Sequence, residues 1–131
     1  MMRTALAIFL GVILSGCMAA EPKEDPLIAL LAGHRMAYDN SENPNQPIAK
    51  REQQSWFADG TTIYHTWGFG HAKSGVWKVD HGKYCSSFPN AGAAPQWTCY
   101  RTTILDGGAR LRFEELGRGW FKGDWTGQFI K

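Results

Sequence analysis

Short runs in which apolar and polar positions alternate dominate this chain. Trp77 and Val79 alternate with Val76 and Lys78, and Leu111 and Phe113 alternate with Arg110, Arg112 and Glu114. A period of two sends successive side chains to opposite faces of a strand, so each run predicts one face toward a core and one toward water. The runs are separated by regular turn signals. Asp59-Gly60 divides residues 54–58 from 61–67, and Asp80-His81-Gly82 divides 75–79 from 83–88. Asp106-Gly107-Gly108 divides 97–105 from 109–116, and Gly117-Arg118-Gly119 leads into 120–130. With residues 35–39 added, the pattern predicts about eight short strands, the number at which a small sheet curls into a barrel. The expected fold is mainly β, an antiparallel meander closing into a barrel, with an open and highly curved sheet as the alternative.

One segment breaks the period. Residues 27–31 (LIALL), followed by Gly33, suit a short helix with a glycine stop. Residues 39–47 (DNSENPNQP) are dense in turn formers and predict a loop.

The first residues have a different pattern again. Met1-Met2-Arg3-Thr4 is a short basic start, residues 5–14 are uniformly apolar, and Ser15-Gly16-Cys17 follows. A basic start, a short apolar stretch and small residues describe a secretory signal peptide. About ten residues rise only about 15 Å as a helix, roughly half a bilayer core, so a membrane-spanning anchor is excluded for them. Leu14-Ser15-Gly16-Cys17 resembles the lipobox of bacterial lipoproteins. That resemblance implies diacylglycerol on the Cys17 thiol and cleavage just before it. It further implies a protein held to the bilayer by two or three acyl chains, each buried methylene contributing about 0.8 kcal/mol. Met18 follows where an Asp favours inner-membrane retention in enterobacterial lipoproteins, so the resemblance points to the outer membrane, facing the periplasm. The expected organisation is a signal peptide over 1–16, a lipidated cysteine and tether over 17–26, and one β domain over 27–131.

Composition narrows the classes. The 131 residues are 44% hydrophobic and 20% charged with a formal net charge of +2, which excludes wholesale disorder and gives no support for nucleic-acid binding. All six Trp and all four Tyr lie in the expected β domain, and such rings let about 105 residues bury a sufficient core. Setting Cys17 aside leaves Cys85 and Cys99, an even number in an oxidising compartment. A structural disulfide between them is the expectation, closing a loop of about 15 residues and stabilising by about 3 kcal/mol. A free, buried Cys85 is the rival. No second pair completes a zinc site.

Candidate chemistry is sparse. On an uninterrupted strand His65, Trp67, Phe69 and His71 would share a face able to hold a metal or a flat ligand, but Gly68 and Gly70 predict a bend there. His65 is then a partly buried strand residue, and His71 and His81 are loop residues. Asp39, Ser41 and Asn43 have the spacing of a calcium loop, yet Pro44 and Lys50 stand where a glycine and a bidentate glutamate are required. Glu114 and Glu115 are adjacent, so on a strand they point to opposite faces and do not act as a pair; Glu114 is expected in solvent beside Arg110 and Arg112. No hydrolase elbow, zincin helix or phosphate loop is present, so no catalytic residue, metal or cofactor is expected. In residues 117–131, Trp120, Phe121, Trp125 and Phe129 mix with Arg118, Lys122 and Lys131. That segment reads as a closing strand or hairpin, with an aromatic and basic contact surface as the alternative.

Gly75-Val76-Trp77, Tyr84-Cys85 and Trp97-Thr98-Cys99 together are similar to small proteobacterial envelope proteins of unknown function with a Gly-x-Trp, Tyr-Cys, Trp-x-Cys pattern. That resemblance implies the same Cys85–Cys99 bridge and carries no activity. A looser one is to membrane-bound periplasmic lysozyme inhibitors, small lipoproteins with a β barrel and a disulfide, whose serine loop has its nearest counterpart at Ser74-Gly75. The functional expectation is an anchored binding module, with a small molecule in the barrel mouth or a protein on its aromatic rim. His65, Trp67, Trp120 and Trp125 are the candidate contacts. A structural envelope protein ranks second and an enzyme third.

Overall fold

The computed structural model describes residues 24–66, 71–116 and 124–131. Cys17 and the expected signal peptide, Trp67, Phe69 and Trp120 therefore lie outside the described residues. A short helix α1 (Pro26–Leu31) precedes eight strands: β1 (Arg35–Tyr38), β2 (Gln53–Trp56), β3 (Thr61–Thr66), β4 (His71–Asp80), β5 (Lys83–Ser87), β6 (Thr98–Leu105), β7 (Arg110–Glu115) and β8 (Asp124–Ile130). Each strand pairs antiparallel with the next, and β8 pairs with β1, with Met36 opposite Phe129. The expected barrel is closed, and the open-sheet alternative is excluded.

Local sequence explains the turns. His81 and Gly82 both take positive φ, 50° and 74°, as the two central residues of a tight hairpin whose twist matches its strands. At the β2–β3 turn Asp59 Oδ1 accepts from the Thr61 amide at 2.9 Å and the Thr61 hydroxyl at 2.6 Å, which holds its carboxyl below the usual range. The closing strand needs a glycine for a different reason. A Cβ on Gly127 would lie 2.5 Å from Met36 Sδ and 2.9 Å from the Ala37 carbonyl, so β8 fits against β1 only without a side chain there.

The meander gives the barrel two unlike ends. The β2–β3, β4–β5 and β6–β7 turns share one end with α1. Asp25 Oδ1 accepts from the Leu27 amide at 2.8 Å to start that helix, and Pro26 occupies its first turn. Leu27 and Leu31, one turn apart, are buried with Met36, Trp56 and Leu111, so the helix plugs this base. The opposite end, the mouth, carries the 39–52 and 88–97 loops. Arg51 braces the first, its Nε donating to the Gln46 carbonyl at 2.8 Å and Nη2 to that of Pro44 at 3.2 Å.

Cys85 and Cys99 face each other across β5 and β6 and are joined by a disulfide, S–S 2.06 Å. It closes the base of the 88–97 loop on the barrel's outer side.

Two sequence readings change. His71 is not a loop residue, because β4 extends to it and it pairs with Thr66 at the mouth. Gly68 and Gly70, where a bend was expected, lie outside the described residues; β3 and β4 on either side of them pair antiparallel. Ser74 and Gly75 lie within β4, opposite Ile63 and Thr62, so they form no exposed loop. A Cβ on Gly75 would meet the Ser87 carbonyl at 2.5 Å and the Phe88 ring at 2.6 Å, which makes that glycine a packing requirement.

Candidate functional site

Period two, applied around a closed barrel, decides what faces inward. Met36 and Tyr38 on β1, Gln54 and Trp56 on β2, Thr62 and Tyr64 on β3, and Tyr84 and Ser86 on β5 share the inner face, with Tyr100, Phe113 and Trp125 from β6, β7 and β8. Toward the base this interior is filled. Toward the mouth it opens into a cavity of about 430 Å³, within the range of small-molecule sites.

A hydrogen-bonded layer forms the cavity floor. The Tyr38 hydroxyl donates to Gln54 Oε1 at 2.5 Å, and Gln54 Nε2 donates to Thr62 Oγ1 at 2.9 Å and to the Tyr84 hydroxyl oxygen at 3.1 Å. Trp56 Nε1 also donates to that oxygen, at 2.9 Å, from the filled side. Thr62 passes its own proton to the Ser55 carbonyl at 2.8 Å. Every polar atom of the Gln54 amide is thus used, as a buried amide requires. The Tyr84 oxygen accepts twice.

Above the floor the walls are aromatic. Phe113 sits 5.3 Å from Tyr84 between ring centroids, and Tyr38 meets Trp125 edge-to-face at 6.1 Å. Tyr64 meets Phe88 edge-to-face at 6.3 Å. Offset and edge contacts at these separations hold the rings in defined orientations. At the rim stand Glu52, Thr66, His71 and Lys73, and the Lys73 ammonium lies over the Phe88 ring at 5.8 Å.

All four tyrosines of the chain line this cavity. Burial pushes the Tyr38 phenol well above its ordinary pKa, reinforced by the neighbouring Tyr84, Tyr64, Tyr100 and Glu52. Burial also raises Tyr64, together with its hydrogen bond to Glu52 and the charge of that carboxylate. Tyr84 is raised by burial and drawn partly back by hydrogen bonds from Trp56, Ser86 and Gln54. Tyr100 is pushed up to about 12, first by burial and then by Tyr84 and Glu115.

Glu52 lines the cavity, and a second carboxylate, Glu115, lies on the inward register of β7. Glu52 accepts a very short hydrogen bond from the Tyr64 hydroxyl through Oε2. Glu115, opposite Tyr100 and two residues beyond Phe113 on β7, has both carboxylate oxygens buried with no hydrogen-bond partner. Its neighbour Glu114 points outward, 3.4 Å from Arg112 and 3.6 Å from Arg101, so the two faces of the pair divide as alternation requires. Arg110, expected beside Glu114, instead joins Asp39 at 2.5 Å.

Among the sequence candidates, Trp125 lines the cavity. His65 sits between Tyr64 and Thr66 and so faces outward, half-buried and away from the cavity. Trp67 and Trp120 lie outside the described residues. Tyr38, Glu52, Gln54 and Tyr64 are site residues that the sequence reading did not single out. The signal that could have found Tyr38, Gln54 and Tyr64 is the inward period carried across the strands, which aligns all four tyrosines; Glu52, before β2, carries no such signal. Among the described residues no group of three His, Cys, Asp or Glu is placed to hold a metal, and no helix is long and apolar enough to cross a membrane.

Comparison with known proteins finds no matching family model, no matching curated protein and no matching solved structure.

Proposed function

We propose that this chain is a lipid-anchored envelope protein whose barrel binds a small molecule in its mouth. The observation that carries the binding reading is the cavity: about 430 Å³, aromatic-walled, open to solvent and floored by saturated hydrogen bonds. A barrel with no ligand gains stability by filling such space, since large side chains could close it. The anchoring half rests on the lipobox resemblance at Leu14-Ser15-Gly16-Cys17. The Cys85–Cys99 bridge supports export to an oxidising compartment.

Each half has its own test. Cys17→Ser moves the protein from the membrane to the soluble fraction; retention in the membrane refutes the anchor. Native mass spectrometry of the protein purified from the periplasm gives a discrete mass beyond the polypeptide if the mouth holds a small molecule. A bare chain that acquires no mass from a soluble envelope extract refutes that reading. It would turn the search to a protein partner at the exposed Trp97 and Leu116 beside the mouth.

A further inference from the structure

Charge on this barrel is distributed differently on its two faces. On the outer side the arginines of β6 and β7 are matched: Arg110 with Asp39, Arg112 with Asp124 at 2.5 Å and with Glu114, and Arg101 with Glu114. The carboxylates within the barrel differ. Among the described residues, Glu115 has no hydrogen-bond partner for either buried oxygen, and the half-buried Glu52 has the Tyr64 phenol, a neutral donor. Among the described residues, the one ammonium lining the cavity is Lys73, at the exposed rim over the Phe88 ring, and no ion pair joins it to either carboxylate.

A carboxylate out of water without a counter-charge is unfavourable unless a cation completes it. Aromatic faces attract cations through their quadrupoles, most strongly where water is excluded. Tyr100 and Phe113 stand beside Glu115, and Tyr38, Tyr64 and Trp125 complete the walls toward Glu52. We infer that the ligand is an organic cation, an amine or quaternary ammonium carried on a flat apolar body, recognised by the aromatic walls with Glu52 and Glu115 as counter-charges. This rests on the small-molecule reading above and specifies it. The apolar body lies against the Tyr64, Phe88 and Trp125 rings. The cationic head lies between the Glu52 side of the mouth and the wall formed by Tyr100 and Phe113. Glu52 Oε1, which Tyr64 leaves open, accepts from an ammonium directly. Glu115 acts from behind Tyr100 by its charge, through an interior of low dielectric.

The test uses three probes with one aromatic body and different charge: 1-naphthylmethylammonium, 1-naphthylmethanol and 1-naphthoate. Their affinities for the purified full chain are measured by calorimetry at low ionic strength and neutral pH. The ammonium is expected to bind at least about tenfold more tightly than the alcohol, and the naphthoate at least about tenfold more weakly. Glu52→Gln and Glu115→Gln, both near-isosteric, are each expected to reduce the ammonium-to-alcohol ratio by about threefold or more, the alcohol serving as the internal reference for any change in the cavity itself. Equal binding of the three probes, or ratios that neither variant moves, overturns the charge inference and leaves the cavity reading standing. Failure of all three probes to bind overturns both.

Discussion

Raising the pH tests the interior directly, because all four tyrosines of the chain face the same cavity. Each phenol has a folded pKa above its unfolded value, so its contribution is complete below about pH 10 and is lost as the pH rises through the folded values. At pH 11 an ordinary tyrosine is about nine-tenths ionised, whereas Tyr100 at about 12 is about one-tenth ionised. Tyr38 and Tyr64 stay protonated, and Tyr84 is held back by burial. Unfolding at that pH therefore releases more tyrosine protons than the folded chain does, about 0.8 of one from Tyr100 alone. At about 1.4 kcal/mol per proton per pH unit, Tyr100 lowers stability by at most about 1 kcal/mol for each unit near pH 11, and the other three phenols add to the fall in the same direction. A domain of ordinary stability, about 5–15 kcal/mol, then unfolds cooperatively within a few units above pH 10. The assay records tyrosinate absorbance at 295 nm and far-ultraviolet circular dichroism seconds after a pH jump. Tyrosinate is expected to appear with the loss of strand signal and not before it. Two or more phenols titrating near pH 10 in a chain that keeps its native dichroism would refute the closed, dry arrangement of Gln54, Tyr38 and Tyr84.

Two further perturbations probe the floor and the mouth. Tyr84→Phe removes the acceptor shared by Trp56 Nε1 and Gln54 Nε2 and strands both donors, so denaturant unfolding should show a loss of about 1–3 kcal/mol; an unchanged midpoint refutes that network. Replacing Cys85 and Cys99 together by Ser should lower stability by about 3 kcal/mol in the same assay, and a variant as stable as the parent shows that the bridge does not restrain the unfolded chain.

Turn residues and alternation made most of the barrel legible. Asp59-Gly60, His81-Gly82 and Asp106-Gly107-Gly108 each separate two strands, and the strands on either side have the expected period. The helix at Pro26–Leu31 was legible from LIALL before a glycine, and the bridge from cysteine arithmetic. The interior was less so, for a physical reason. Period two assigns a residue to a face, but which face is inside depends on register against neighbours on both sides. His65 shares its run with Tyr64, and only the pairing of Tyr64 with Gln54 and Lys73 shows that the tyrosine is inward and the histidine outward. Glu52 precedes β2 and carries no alternation signal of its own. It reaches the cavity because Arg51 braces the loop before it and Tyr64 bonds its carboxylate. His71 read as a loop residue because two glycines precede it, yet pairing with Thr66 makes it the first residue of the longest strand.

The two ends of the barrel are built differently, one filled and one open. At the base, α1 supplies Leu27 and Leu31 to a core already holding Trp56, Met36 and Leu111, all of them almost fully buried. That end excludes water and carries the hydrophobic stabilisation. The mouth is therefore free to remain unfilled, and its residues are suited to that state. Tyrosine and tryptophan have few rotatable bonds, so walls built from them lose little conformational entropy when a ligand orders them. The Gln54 layer isolates one half from the other by spending every polar atom of its amide below the cavity. Above that layer, among the described residues, both Glu115 carboxylate oxygens are buried without a hydrogen-bond partner. Polar groups below the Gln54 layer are thus satisfied while, among the described residues, the Glu115 carboxylate above it is not, and it is on this asymmetry that the proposed organic-cation ligand rests.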